Sequence, residues 1–201
     1  MMSRRRAFLL RKMQSAQRVL YDGSAGIGLD AFVVSNSAAS SGGSSCSTSF
    51  DYESGDDIVI RSYNRAAAAS KTARTSFRTT ELIDFSGYTR LNFLVKLHAG
   101  SGSSSTYNRL TLSLGTCSEA NKNQQFHSVS YLNDGYYLLD LGDSDGTRFE
   151  LDTYIENEVI TVDISNLSQG YVCCGLLARK HASGGSYAVA LTTEVSRIWL
   201  E

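Results

Sequence analysis

The segment GDSDG, Gly142 to Gly146, sits inside DLGDSDGTRFELD and carries residue types suited to more than one chemistry. As G-x-S-x-G it matches the pattern of a hydrolase nucleophile elbow, with Ser144 as the attacking group. That device needs a strand, a sharp turn and then a helix. Here YYLLDL precedes the turn, and in TRFELD Phe149 and Leu151 alternate with Arg148, Glu150 and Asp152, the signature of a second strand. Asp143 and Asp145 would also oppose the oxyanion of acyl transfer. No enzyme activity is expected. The alternative is a cation: Asp140, Asp143, Asp145 and Asp152 offer hard oxygen ligands, and residues 119–163 hold ten acids against two bases. Calcium is the cofactor such a set would take, although the spacing misses that of the helical calcium loop. The plainest reading is a Gly/Asp hairpin turn.

Ligand-binding chemistry is suggested at three strand–loop junctions. Tyr107, Asn108 and Arg109 follow a Gly/Ser-rich loop, Tyr136 and Tyr137 follow NDG, and His181 precedes ASGGSY. Amphipathic aromatics cover sugar faces while amide and guanidinium groups meet hydroxyls, so these six are the candidate carbohydrate contacts. Core packing is the simpler role for each. Arg61, Arg65, Lys71, Arg74 and Arg78 fall between residues 58 and 80 without an acid among them. They form either an anion-binding face or a solvated sheet edge. The glycines of GSAGIG (23–28) are spaced wrongly for a dinucleotide fingerprint, and NLS at 166–168 is a glycosylation sequon that matters only on secretion. Adjacent strand residues point to opposite faces, so Cys173 and Cys174 cannot pair. The four cysteines read as reduced, semi-buried thiols, with a Cys46–Cys117 bridge as the alternative.

The elements that must position these groups are short strands. From DIVIRS to YAVALTTEVSRIWLE about ten apolar segments follow one another, separated by Gly, Ser, Asn and Asp; the chain has no proline. In RLNFLVKLH, Leu91, Phe93, Val95 and Leu97 share one face, and in NRLTLSLG so do Leu110, Leu112 and Leu114. FHSVSYL (126–132) reads as a further strand. This pattern, without intervening helices, predicts an all-β antiparallel β-sandwich over 22–201. The serine-rich stretch 35–49 reads as a flexible loop. Residues 1–21 differ, with six bases and no acid, whereas the remainder carries thirteen bases and twenty acids. Leu9, Met13, Ala16 and Leu20 form an apolar seam of helical spacing, predicting a basic amphipathic helix over 3–20. Too short to be stable alone, it would oligomerise the protein, a trimer fitting the seam, or anchor it. There is no apolar run long enough for a membrane span and no signal peptide is expected. An acidic body with a basic arm does not suit a specific nucleic-acid binder.

Three motifs add a family resemblance. Ile83, Asp84, Ser86, Tyr88 and Leu91, then Asp163, Ile164, Ser165 and Leu167, then Ile198, Trp199 and Leu200 stand in the order I-D-h-S-x-Y-x-x-L, D-I-S-x-L and I-W-L. The chain thereby resembles minor structural, tail-associated proteins of phages and prophages of gut Firmicutes, over about 80–201. The resemblance implies a jelly-roll sandwich of the galactose-binding-like type, carried on a virion made in the host cytoplasm. It implies no catalysis and transfers no binding residues. The combined expectation is a non-enzymatic virion protein that binds host-surface glycan and contacts other virion proteins. The alternative is a purely structural tail or capsid component.

Overall fold

A computed structural model describes residues 17–23, 31–38, 45–52, 57–65, 71–101, 108–142, 152–180 and 189–201. Twelve strands are present among them: β1 (Arg18–Tyr21), β2 (Phe32–Ala38), β3 (Ser45–Tyr52), β4 (Ile58–Arg65), β5 (Lys71–Thr79), β6 (Ile83–Asp84), β7 (Arg90–Ser101), β8 (Asn108–Cys117), β9 (Tyr137–Gly142), β10 (Asp152–Asp163), β11 (Gln169–Lys180) and β12 (Val189–Leu200). They form two antiparallel sheets. Sheet A runs β10-β7-β12-β4-β3, with β1 on the edge of β12 beyond the end of β4. Sheet B runs β2-β5-β11-β8-β9, with β6 on the edge of β11 beyond the end of β5.

This order is a jelly roll. β4, β5, β7 and β8 lead outward, placed alternately in sheets A and B, and β9 to β12 return. On the way back β12 slots between β4 and β7, and β11 between β5 and β8, which is the nested double Greek key of that architecture. Alternation along each strand supplies the filling. Leu91, Phe93, Val95 and Leu97 of β7 face Leu110, Leu112 and Leu114 of β8 and Val172, Cys174 and Leu176 of β11, all essentially inaccessible to solvent. A bulge between Val195 and Arg197 of β12 changes the phase of the pleat, so that Ile198 and Leu200 return to the core. Trp199 then faces outward beneath Arg197, whose guanidinium lies 5.0 Å from its ring. The sheets are also joined by polar groups: Ser62 and Thr75 hydroxyls meet at 3.0 Å, and Asn64 donates to the Ala178 carbonyl.

The residues of the resemblance are scaffold. In both IDFS and VDIS the aspartate carboxylate accepts the amide two residues on, Asp84 from Ser86 at 2.8 Å and Asp163 from Ser165 at 2.9 Å. These are Asx turns, and the hydrogen bonds hold both carboxyl pKa values below the ordinary range.

Four expectations are corrected. The helix over 3–20 does not extend through its last turn: Arg18 to Leu20 are strand, Leu20 packs against the core, and β1 pairs with β12. Pairing with an existing strand outweighs the propensity of a short isolated helix. Leu9, Met13 and Ala16 lie outside the described residues. The serine-rich stretch is strand at both ends, 35–38 in β2 and 45–49 in β3, because edge strands accept polar, β-branched residues. FHSVSYL is not a strand but a covering loop with a single 3-10 turn at Val129–Tyr131. Finally, β9 pairs with β8 and β10 with β7, so the connection through 143–151 joins the two sheets and is no hairpin. The turn itself lies outside the described residues.

Candidate functional site

The outer face of sheet B is half covered. Residues 118–136 cross it, and Phe126, Tyr131 and Leu132 bury Cys117, Tyr171 and Cys173 in a small second core. Several polar groups fasten this cover. Arg78 lies 4.9 Å over the Tyr171 ring and donates to the Lys122 and Thr79 carbonyls at 2.6 and 2.8 Å. Tyr171 donates to Glu119 at 2.6 Å, Ser113 to the Phe126 carbonyl, and the Asn133 amide to the Thr116 carbonyl at 2.8 Å. Gly175 lets the cover lie flat, because a side chain there would enter the Phe126–His127 peptide. Cys117, Cys173 and Cys174 are buried free thiols, so Cys117 is not bridged to Cys46. Burial raises the Cys173 and Cys174 pKa values.

Where the cover stops, a cleft of about 390 Å³ opens on the same face. Strand alternation builds it: Thr72 and Arg74 from β5, Leu177 and Arg179 from β11, Arg109 and Thr111 from β8 and Leu138 from β9 point outward. His127, Ser128 and Val129 of the cover close one side. Three guanidinium groups therefore converge, and no carboxylate is among the lining residues. In the ladder Arg179 stands directly opposite Arg109, and Arg74 opposite Leu177. Opposed like charges destabilise a sheet. Arg109 is paired sideways with Asp140, Nη2 to Oδ2 at 2.6 Å and Nε to the same oxygen at 3.1 Å. The Nε atoms of Arg74 and Arg179, the Thr111 hydroxyl and His127 Nδ1 are buried and have no hydrogen-bond partner among the described residues. Four residues of one cleft thus carry such an atom, whereas buried polar groups are ordinarily satisfied.

His127 responds to this setting. Burial, then the charges of Arg74 and Arg109, push its pKa from 6.5 down to about 4. A base with a depressed pKa binds fewer protons folded than unfolded, so stability is complete above about pH 6.5 and falls as the pH drops toward 4. Because the imidazole is partly solvated, the loss is on the order of 1 kcal/mol rather than the full shift. Urea unfolding near pH 7 and near pH 4 should show a larger acid loss in the native chain than in His127→Gln. Equal losses would disprove the coupling.

Of the candidate contacts, Arg109 alone is found at the cleft. Tyr136 is exposed but lies over Gly115, about six residues along β8 from Arg109, roughly 20 Å at the strand rise. Tyr137 packs against the core, its pKa raised by burial and then by Glu158. Asn108 opens β8, while Tyr107 and His181 lie outside the described residues. The acidic quartet is not assembled among them: Asp140 is held by Arg109, Asp152 begins β10 in the other sheet, and Asp143 and Asp145 lie outside. Among the described residues no three His, Cys, Asp or Glu side chains cluster as metal ligands do, and no helix is long and apolar enough to cross a membrane. The basic run divides between the sheets, with Arg61 stacked on Tyr63 outside sheet A at 5.4 Å and Arg74 and Arg78 outside sheet B.

No protein-family description matches the sequence, and no curated protein matches it. Some solved structures align with it at low similarity. A family 11 carbohydrate-binding module from Clostridium thermocellum is 11% identical over 92% of this chain and 96% of its own, with a TM-score of 0.37. The family 11 xylanase of Neocallimastix patriciarum is 10% identical over 94% and 96%, with a TM-score of 0.42. The enzymatically active domain of tailspike protein 4 of bacteriophage CBA120 is 10% identical over 90% of this chain and 20% of its own, with a TM-score of 0.37. The assignment of the fold rests on the strand order described above.

Proposed function

We propose that this chain is a non-enzymatic, tail-associated protein of a phage or prophage particle, and that the outer-face cleft of sheet B binds carbohydrate of the host surface. One observation carries the binding reading: Arg74, Thr111, His127 and Arg179, each with a buried polar atom that has no hydrogen-bond partner among the described residues, line one open cleft. Leaving buried donors and acceptors unmade costs about 1–3 kcal/mol each, and ligand hydroxyls would recover that. Leu138, Leu177 and Val129 give the cleft an apolar side, which suits the mixed polar and apolar faces of a sugar ring. The non-catalytic reading is supported by the lining residues. Glycoside hydrolysis takes two facing carboxylates, and among the described residues the carboxylate beside the cleft, Asp140, is engaged by Arg109. The virion setting rests on the sequence resemblance. On a virion the chain would contact other virion proteins and work as a homo-oligomer.

The test is an array of bacterial surface polysaccharides probed with the full chain, once with calcium and once with EDTA. Selective retention in both buffers is expected, without release of reducing sugar. Retention only with calcium would bring the acidic 140–152 segment into the site. A blank array with folded protein would replace this reading with that of a structural component that touches only its virion neighbours.

A further inference from the structure

We infer that the cleft is selective for an acidic sugar residue, its anionic group gripped between Arg74 and Arg179 and its hydroxyls met by Thr111 and His127. This inference rests on the carbohydrate-binding reading and names the class of glycan. Three features of the cleft carry it. First, charge: among the described residues three guanidinium groups and no carboxylate line the cleft, and Asp140 is paired with Arg109. Second, register: Arg179 is placed directly across the ladder from Arg109, with Arg74 one strand further on. A ligand-free sheet gains nothing from that opposition, whereas an anion between the arginines converts it into charge-assisted hydrogen bonds. Third, satisfaction: Arg74 Nε and Arg179 Nε are buried without a partner among the described residues, and the remaining nitrogens of each guanidinium fork fit carboxylate or phosphate oxygens. Thr111 Oγ1 and His127 Nδ1, from the same lining, also have no partner among the described residues, and a sugar hydroxyl can both donate and accept. An anion there also favours the imidazolium, so ligand binding should raise the His127 pKa from its depressed value.

The experiment uses the full chain and calorimetric titration with three probes: oligogalacturonate, its methyl ester, and a phosphorylated mannan. At least one anionic polymer should bind about tenfold or more tightly than the ester, and binding should weaken with salt. Preference for the uronate identifies a carboxylate as the anionic group, and preference for the phosphorylated mannan identifies a phosphate. Both support the inference. Arg74→Gln with Arg179→Gln should lose about tenfold or more, whereas Arg61→Gln, on the outer face of sheet A, should lose nothing. If the double variant does not fold, Arg179→Gln alone serves, since it relieves the opposition to Arg109 and should melt no lower than the native chain. Equal binding of acid and ester, or array hits confined to neutral glycans, overturns the acidic class and leaves carbohydrate binding standing. Undiminished binding in the arginine variants overturns the location. A blank array with folded protein removes the carbohydrate reading itself.

Discussion

Gly175→Ala should lower the melting temperature by about 2–12 °C and strip the cleft of its His127 wall. The added methyl would stand 2.6 Å from the His127 amide nitrogen and closer still to the Phe126 carbonyl. Neither neighbour is a flexible side chain. On one side β11 is fixed between β5 and β8 through ladders along Cys173–Lys180 and Tyr171–Lys180, so the cover must give way. Lifting it breaks the Ser113 bond to Phe126 and exposes Phe126, Tyr131, Cys117 and Cys173. Overpacking of this kind costs about 1–3 kcal/mol, and in a chain of this length each kcal/mol is worth roughly 2–4 °C. Thiol labelling read by mass spectrometry gives the decisive measurement. Cys117 and Cys173 should become reactive in the variant while Cys174, on the core face, stays protected. An unchanged melting point with both thiols still protected would mean that the cover does not depend on Gly175.

Gly135→Ala should be the more damaging of two matched glycine substitutions. Gly135 has φ +84° and Gly87 φ +89°, so both sit in the left-handed region where a side chain is strained. Their surroundings differ. A Cβ at Gly87 meets nothing within 4 Å, whereas at Gly135 it would lie far inside contact with the Asp163 carbonyl oxygen and 3.1 Å from its carbon. Gly87→Ala should therefore cost only the strain, about 1 kcal/mol. Gly135→Ala should cost upwards of ~3 kcal/mol, because the turn before β9 must move off the end of β10. Denaturant midpoints at equal slope give both values. Equal losses would show that backbone conformation alone matters and that the approach to Asp163 is soft.

Much of the sandwich is legible in the chain because strand alternation is a local signal. Leu91 to Leu97 and Leu110 to Leu114 announce two facing strands before any topology is known. Edge strands announce themselves poorly: β2 and β3 are polar at Ser35, Asn36, Ser47 and Ser49, and their apolar content falls below what marks a strand. FHSVSYL has strand composition, but its Phe126 is buried as part of a cover, and only the structure distinguishes the two. The cleft was hardly legible. Its arginines, at 74, 109 and 179, are remote in sequence and meet only because β11 enters between β5 and β8. Composition singled out Arg109 for its neighbours and grouped Arg74 with Arg61, which the sheet order places on the opposite side of the molecule. The aromatic junctions stand out in the sequence because tyrosine suits sugars, and of these Tyr137 packs against the core.

The nesting of the late strands governs how the chain can reach this state. β11 and β12, residues 169–200, occupy the middle of sheets B and A. During synthesis β4 and β7 must wait with apolar faces and open edges until β12 has left the ribosome, and β5 and β8 until β11 has. Contacts between distant parts of a chain form slowly, after loop closure has been completed. Collapse of both sheets should therefore be a single late event rather than a progression from the N-terminal strands. Nascent chains stopped before residue 169 should be sensitive to protease and to chaperone capture, and a nonsense mutation anywhere upstream should leave neither half-sheet standing.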